Sequence, residues 1–202
     1  MPGGGDQRDS GFAPVALAAD LDRAVATVTA AFANDPVWNW AFPDSDELDL
    51  WWRLLVEHAF RNSWISMLGD YEAISVWIPP GANELSDAEE QRIAPLLRKL
   101  AGSRAPHVAQ LLDRFDAAHP KREPHHYLSV LATHPACRGR GVGMRLVADK
   151  LARIDAEAMP AYLESSNPAN HARYERAGFE RIGSFATPDG SHTLATMWRE
   201  PR

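Results

Sequence analysis

His126-Tyr127-Leu128-Ser129-Val130-Leu131-Ala132-Thr133 runs through His134-Pro135-Ala136-Cys137 into Arg138-Gly139-Arg140-Gly141-Val142-Gly143. The first segment is apolar and extended, a buried strand by its length and its bounding turn signals. The last opens an amphipathic helix over about 141–157, with Val142, Leu146, Val147, Leu151 and Ile154 as its apolar stripe. Asp149 and Arg153 pair at i,i+4 on the wet side. A strand that enters a glycine-rich turn and then a helix N-terminus makes a cradle for phosphate. Backbone N–H groups converge there, and the first helical turn leaves its own N–H groups unpaired. Two motifs are excluded. A P-loop needs Gly-Lys-Ser/Thr, which is absent, and a dinucleotide fingerprint needs glycine at Met144. What remains is Arg-x-x-Gly-x-Gly, carried by Arg138, Gly141 and Gly143. Taken alone, it is either an anion cradle or a plain strand-to-helix link.

The surrounding chain bounds the answer. With 202 residues, 45% hydrophobic and 24% charged, the composition is that of an ordinary globular protein. One domain over 12–202, behind a disordered Gly-rich leader at 1–11, is the expected organisation. A net charge of -6 argues against a general nucleic-acid binder. The single cysteine, Cys137, excludes an internal disulfide, and a cytoplasmic location is the default. No run approaches the roughly 18 apolar residues of a membrane span. The histidines lack metal-ligand spacing, so no metal is expected.

Periodicity divides the rest. A short strand is expected at 12–17, a helix from Asp20 to Phe32 stopped by Asn34-Asp35-Pro36, and an aromatic loop carrying Trp38, Trp40 and Phe42. A helix capped by Asp44 or Ser45 runs to Phe60. A hairpin folds around Gly69-Asp70, and helices follow at about 86–100 and 107–118. After the glycine turn come a short strand at 161–164, a short helix at 168–177 and a terminal hairpin over 179–199. Alternating helices and strands with hairpins at both ends give an α/β domain with a mixed sheet.

Downstream lies Asn167-Pro168-Ala169-Asn170-His171-Ala172-Arg173-Tyr174-Glu175-Arg176-Ala177-Gly178-Phe179. Paired with the upstream turn, it resembles the Gcn5-related N-acetyltransferase (GNAT) family. Residues 30–36, 76–81 and 162–166 look like the puromycin N-acetyltransferase branch. The chain departs from that branch at Asp35, where those enzymes carry a tyrosine.

The resemblance implies a twisted, mostly antiparallel sheet flanked by helices, whose two central parallel strands splay apart to admit acetyl-CoA as co-substrate. The CoA pyrophosphate would lie on Arg138, Gly139, Arg140, Gly141, Val142 and Gly143. The pantetheine arm would run along Leu131, Ala132 and Thr133, with Asn167 and Asn170 at its amides. Tyr174 would protonate the leaving thiolate, and a backbone N–H at Leu131 or Ala132 would face the oxyanion. Glu164 is the leading candidate for the base that neutralises the attacking amine. Asp35, Trp38, Trp40 and His126 would line the acceptor pocket, with adjacent His125 on the opposite face of the sheet. The expected activity is acetyl transfer from acetyl-CoA to a small-molecule amine within a ternary complex. No nucleic-acid or membrane partner is expected, and a homodimer is compatible with the pattern. A longer acyl donor, or a CoA-binding sensor without catalysis, is the alternative.

Overall fold

The computed structural model describes residues 18–202 apart from Asp44 and Arg122. The leader, the strand expected at 12–17 and the Asp44 cap lie outside the described residues.

Helix α1 (Ala18–Phe32) ends just before Asn34-Asp35-Pro36. Asp35 is extended (φ -73°, ψ 130°), as the residue before a proline prefers. The next stretch corrects an expectation. Trp38 and Trp40 sit on a short helix, α2 (Pro36–Ala41), rather than in a loop. Proline at its first position and the Asp35 carboxylate on the N–H groups of Val37 and Trp38 start it. Helix α3 (Leu48–Arg61) leads to the hairpin of β1 (Ile65–Leu68) and β2 (Ala73–Ile78), which turns at Gly69 with φ +59°. Helix α4 (Asp87–Ala101) starts at Ser86, whose N–H and hydroxyl both donate to Glu89. Helix α5 (Ala105–Ala118) precedes β3 (His126–Thr133) and α6 (Val142–Ala156). The chain finishes with β4 (Ala161–Ser165), α7 (His171–Arg176), β5 (Glu180–Ala186) and β6 (Thr193–Arg199).

The sheet runs β1-β2-β3-β4-β6-β5. Every neighbouring pair is antiparallel except β3–β4. On one face, Val25 and Val28 of α1 and Trp52 and Leu54 of α3 pack with Ile74, Val76, Val130 and Ala132. On the other, Val147, Leu151 and Ile154 of α6 pack with Leu128, Leu163 and Met197. The result is a sheet covered by helices on both faces, the mixed α/β arrangement expected from the sequence.

Two irregularities in β3 position the site. The β2–β3 register jumps, with Val76 opposite Val130 but Trp77 opposite Leu128, so Ser129 is the extra residue of a bulge. Side chains therefore change face there. Leu128 packs toward α6, while Val130 and Ala132 pack toward α1 and α3. The parallel β3–β4 pairing is also brief. It joins His126 to Ala161 and Tyr127 to Tyr162, and nothing beyond. Past Tyr127 the two strands diverge, leaving the C-terminal half of β3 open on that side.

Candidate active site

The glycine turn has the form of an anion cradle. Gly139 and Gly141 have φ of +80° and +75°, a left-handed backbone that side chains rarely adopt. Neither would meet any atom within 4 Å if a Cβ were added, so conformation rather than crowding requires glycine there. Gly143 is the reverse case. Its φ is ordinary, but a Cβ would fall well inside 3.0 Å of Thr133 Oγ1. Glycine lets the first turn of α6 press onto the end of β3. The first bond into α6 is Arg145 N–H to Gly141 O, so the N–H groups of Val142, Gly143 and Met144 have no helical acceptor.

The arginines of the turn serve it from outside. Arg138 donates to the Ala31 carbonyl at the end of α1 (2.8 Å), and Arg140 to Glu72 (2.9 Å). They hold the turn in place, and the backbone supplies the donors. Cys137 is buried 3.4 Å from Arg140.

Next to this turn, the divergence of β3 and β4 opens on a cleft of about 1020 Å³. One part is apolar and aromatic, with Phe32, Trp38, Trp52, Leu55 and Phe115. Trp38 stacks on Phe115 and meets Trp52 edge-on at 5.1 Å. The other part is polar: Glu84, His119, His125, Tyr127 and Glu164. Glu84 accepts from the Ser129 hydroxyl at the bulge. Burial pushes its carboxyl up, and the charge of Glu164 adds to the shift. The Glu164 side chain is 2% exposed, and its Oε2 has no hydrogen-bond partner among the described residues. Burial and the nearby Glu164 charge push the Tyr127 and Tyr162 phenols up as well.

Tyr174 on α7 also lines the cleft, near its Leu131 and Asn170 end. Its ring is 8% exposed and rests edge-on against Phe179. Burial, then the charge of Asp35, raises its phenol to about 12. A phenol in that state keeps its proton at neutral pH and can deliver it to a developing thiolate.

Residues 108–181 match the family described as acetyltransferase (GNAT) domain. That segment, from α5 to the start of β5, is where the chain is similar to GNAT acetyltransferases. An uncharacterised N-acetyltransferase of Schizosaccharomyces pombe is 28% identical, the match covering 91% of this chain and 81% of that protein. A crystal structure from Corynebacterium glutamicum, described as histone acetyltransferase HPA2 and related acetyltransferase, is 25% identical with a TM-score of 0.63. That match covers 94% of this chain and 95% of the other. Arylalkylamine N-acetyltransferase 2 of Aedes aegypti shares the fold at a TM-score of 0.64 and 10% identity, over 94% of this chain and 98% of that one. Together they make the protein an acyltransferase of GNAT fold.

Within this GNAT fold, Leu131, Asp35, Trp38, Glu164, Asn170 and Tyr174 all line the cleft. Ala132 is fully buried on the α1–α3 side and presents only backbone, while the Thr133 side chain meets α6 at Gly143. Asp35 is committed to structure. Its Oδ1 caps α2, and its Oδ2 accepts from Ser166 at 2.7 Å, tying α2 to the segment after β4. Burial raises its carboxyl, against these bonds. Asn167 caps the turn ahead of α7 through the Ala169 N–H, and Asn170 accepts from Arg173.

Two expectations fail. Trp40 does not line the cleft. Its indole N–H donates to Asp189 in the β5–β6 turn (2.7 Å), and Arg104 stacks over its ring. His126 faces the wrong side, toward α6, where its Nε2 meets Glu157 at 2.8 Å. It is His125 that lines the cleft. Simple alternation puts His126 on the face of Val130 and Ala132, and the Ser129 bulge breaks that alternation. The polar residues missed in the sequence are Glu84, His119, His125, Tyr127 and Ser129. They come from the loop after β2, the end of α5, the residue just ahead of β3 and the first half of that strand. No local pattern joins these segments, and only the bulge and the divergence of the strands bring them together.

No helix among the described residues is long and apolar enough to cross a membrane.

Proposed function

We propose that the protein transfers the acetyl group of acetyl-CoA to the primary amine of a small molecule, by direct attack within a ternary complex. The observation that carries this reading is the divergence of β3 and β4. It joins a backbone anion cradle to a cleft that holds a protonated phenol, Tyr174, and a buried carboxylate, Glu164. The cradle suits the CoA pyrophosphate because its N–H donors are unpaired and Gly143 admits close approach of α6 to β3. Leu131 to Thr133 suit the pantetheine arm, with Asn167 and Asn170 beside it. Acetyl-CoA supplies the activated thioester carbonyl.

The rest falls to this chain's own side chains. Glu164 holds the acceptor as an ammonium, since a buried carboxylate with one oxygen lacking a hydrogen-bond partner among the described residues gains most from a cation. The aromatic part of the cleft packs the body of the acceptor and excludes water. Tyr174 gives its proton to the departing sulfur. Proteins of the same fold are described as polyamine and arylalkylamine N-acetyltransferases, which supports a small amine as acceptor. The likeness to the puromycin branch also fits an amine with an aromatic body.

The test is release of free thiol from acetyl-CoA across a panel of aliphatic and aromatic amines, alongside longer acyl-CoA donors. Tyr174→Phe should lower kcat by about a hundredfold or more while CoA affinity is unchanged. A variant as fast as wild type would remove Tyr174 from the acid role. CoA binding without thiol release for any amine would mean a sensor instead.

A further inference from the structure

Two histidines in the polar part of the cleft are linked in a way that fixes where their protons sit. His125 Nδ1 lies 2.6 Å from the carbonyl oxygen of Glu123. A carbonyl only accepts, so Nδ1 carries the proton. Burial lowers the pKa of this ring and keeps it neutral, which leaves Nε2 as an acceptor. That Nε2 lies 3.1 Å from Nε2 of His119, which must therefore donate. A neutral His119 then has its lone pair on Nδ1. Nδ1 faces Glu164, with Oε1 at 3.7 Å. This is too long for a direct hydrogen bond. It suits a donor that reaches both groups, and a primary ammonium brings three N–H bonds.

We propose that His119 is the general base that deprotonates the acceptor ammonium while Glu164 holds it, and that His125 is the positioning residue that keeps the His119 lone pair turned into the cleft. The inference rests on the amine-acetylation reading above. An ammonium N–H bond breaks as the Nδ1–H bond of His119 forms. The freed electron pair of nitrogen makes the bond to the thioester carbonyl carbon. The C–S bond then breaks and the sulfur takes the proton of Tyr174, while the nitrogen of the new amide gives up its surplus proton, which returns through solvent to the Tyr174 phenolate. The His119 side chain is 29% exposed, so the new imidazolium returns its proton to water once product leaves.

Geometry favours the imidazole over Glu164 as the base: the Glu164 side chain is 2% exposed and the His119 side chain 29%, so the imidazole can pass a proton on to water. Groups on every neighbouring element face the ring. Glu164 and Tyr162 face it from β4, Tyr127 from β3, Glu84 from the loop after β2, and His125 from just ahead of β3. The two tyrosine rings meet it edge-on at 4.8 and 5.0 Å and fix its plane. Asp116, on its own helix, is engaged by Lys121.

Two measurements test the proposal. Long-range ¹H–¹⁵N correlation spectra of the resting protein should show His119 protonated at Nε2 and His125 at Nδ1. The opposite tautomer at His119 overturns the assignment before any turnover is measured. In thiol-release assays, His119→Gln should lower kcat/KM for the amine about a hundredfold at pH 7, with KM for acetyl-CoA unchanged. The deficit should shrink about tenfold per pH unit toward the pKa of the amine, because the acceptor then arrives already deprotonated. His125→Phe should show a smaller loss with the same pH dependence. A deficit constant with pH, or none, overturns the base assignment and leaves the acetyltransferase reading standing. A wild-type protein that acetylates no amine overturns both.

Discussion

Gly143→Ala isolates the contact on which the cradle depends. The added Cβ would fall well inside 3.0 Å of Thr133 Oγ1, while Leu131 Cδ1 and Thr133 Cβ stay at an acceptable 3.8 Å. The strain is therefore confined to one short side chain, which cannot swing clear as a lysine could. Overpacking of this kind costs about 1–3 kcal/mol. Alanine returns up to about 1 kcal/mol through its helical preference, and less in a first turn. A net loss of about 1–2 kcal/mol follows, or roughly 2–8 °C in Tm for a chain of this size. The larger effect falls on ligand binding, since relief of the clash moves the α6 N–H donors away from β3. CoA affinity, measured by calorimetry, should drop by at least tenfold. Thr133→Ala in the same chain removes the offending oxygen and should recover most of both losses, a coupling that a double-mutant cycle measures directly. An unchanged Tm and affinity in Gly143→Ala, or failure of Thr133→Ala to restore them, would refute the close-approach argument.

Three further outcomes are expected. Gly141→Asp should abolish CoA binding while the protein still folds. The position has open space around it, and aspartate enters the left-handed backbone at a cost of about 1–2 kcal/mol, so a Tm loss of a few degrees accompanies a complete loss of binding as the new carboxylate opposes the pyrophosphate. At the α3–α4 contact, burial alone would raise the Glu89 carboxyl. The Ser86 hydroxyl and N–H, with His58 at 2.5 Å, outweigh it and pull the carboxyl down to about 2. The unfolded chain then takes up this proton first as pH falls, so the stabilisation is complete above about pH 4.5 and is lost on the way down through pH 2. It amounts to about 3 kcal/mol. Melting curves of wild type and Glu89→Gln should converge across that window, and parallel curves would show that the pair contributes nothing. Trp40→Phe, which breaks the bond to Asp189, should lower Tm and leave KM for the amine unchanged; a raised KM would return Trp40 to the pocket.

Much of the architecture was legible because local rules govern it. Gly69-Asp70 made its hairpin and Asn34-Asp35-Pro36 stopped its helix. Ser86 started another, and the stripe from Val142 to Ile154 went where its period pointed. Each of these depends on residues a few positions apart. The aromatic segment at 38–42 reads as a loop by its composition but begins in a helix, because proline after a capping aspartate is a helix-start signal.

The sequence by itself determined the cradle. Left-handed glycines and an unpaired helix N-terminus are local consequences of Arg138 to Gly143, and Asn167 to Phe179 gave that cradle its family context. Tertiary structure alone decided which side chains face the acceptor. One extra residue at Ser129 exchanges His126 for His125 at the cleft, because alternation in a strand carries no memory across a bulge. The end of α5 and the loop after β2 bring His119 and Glu84 to Glu164 from far along the chain. Such convergence depends on strand divergence and helix packing, which no stretch of sequence encodes alone.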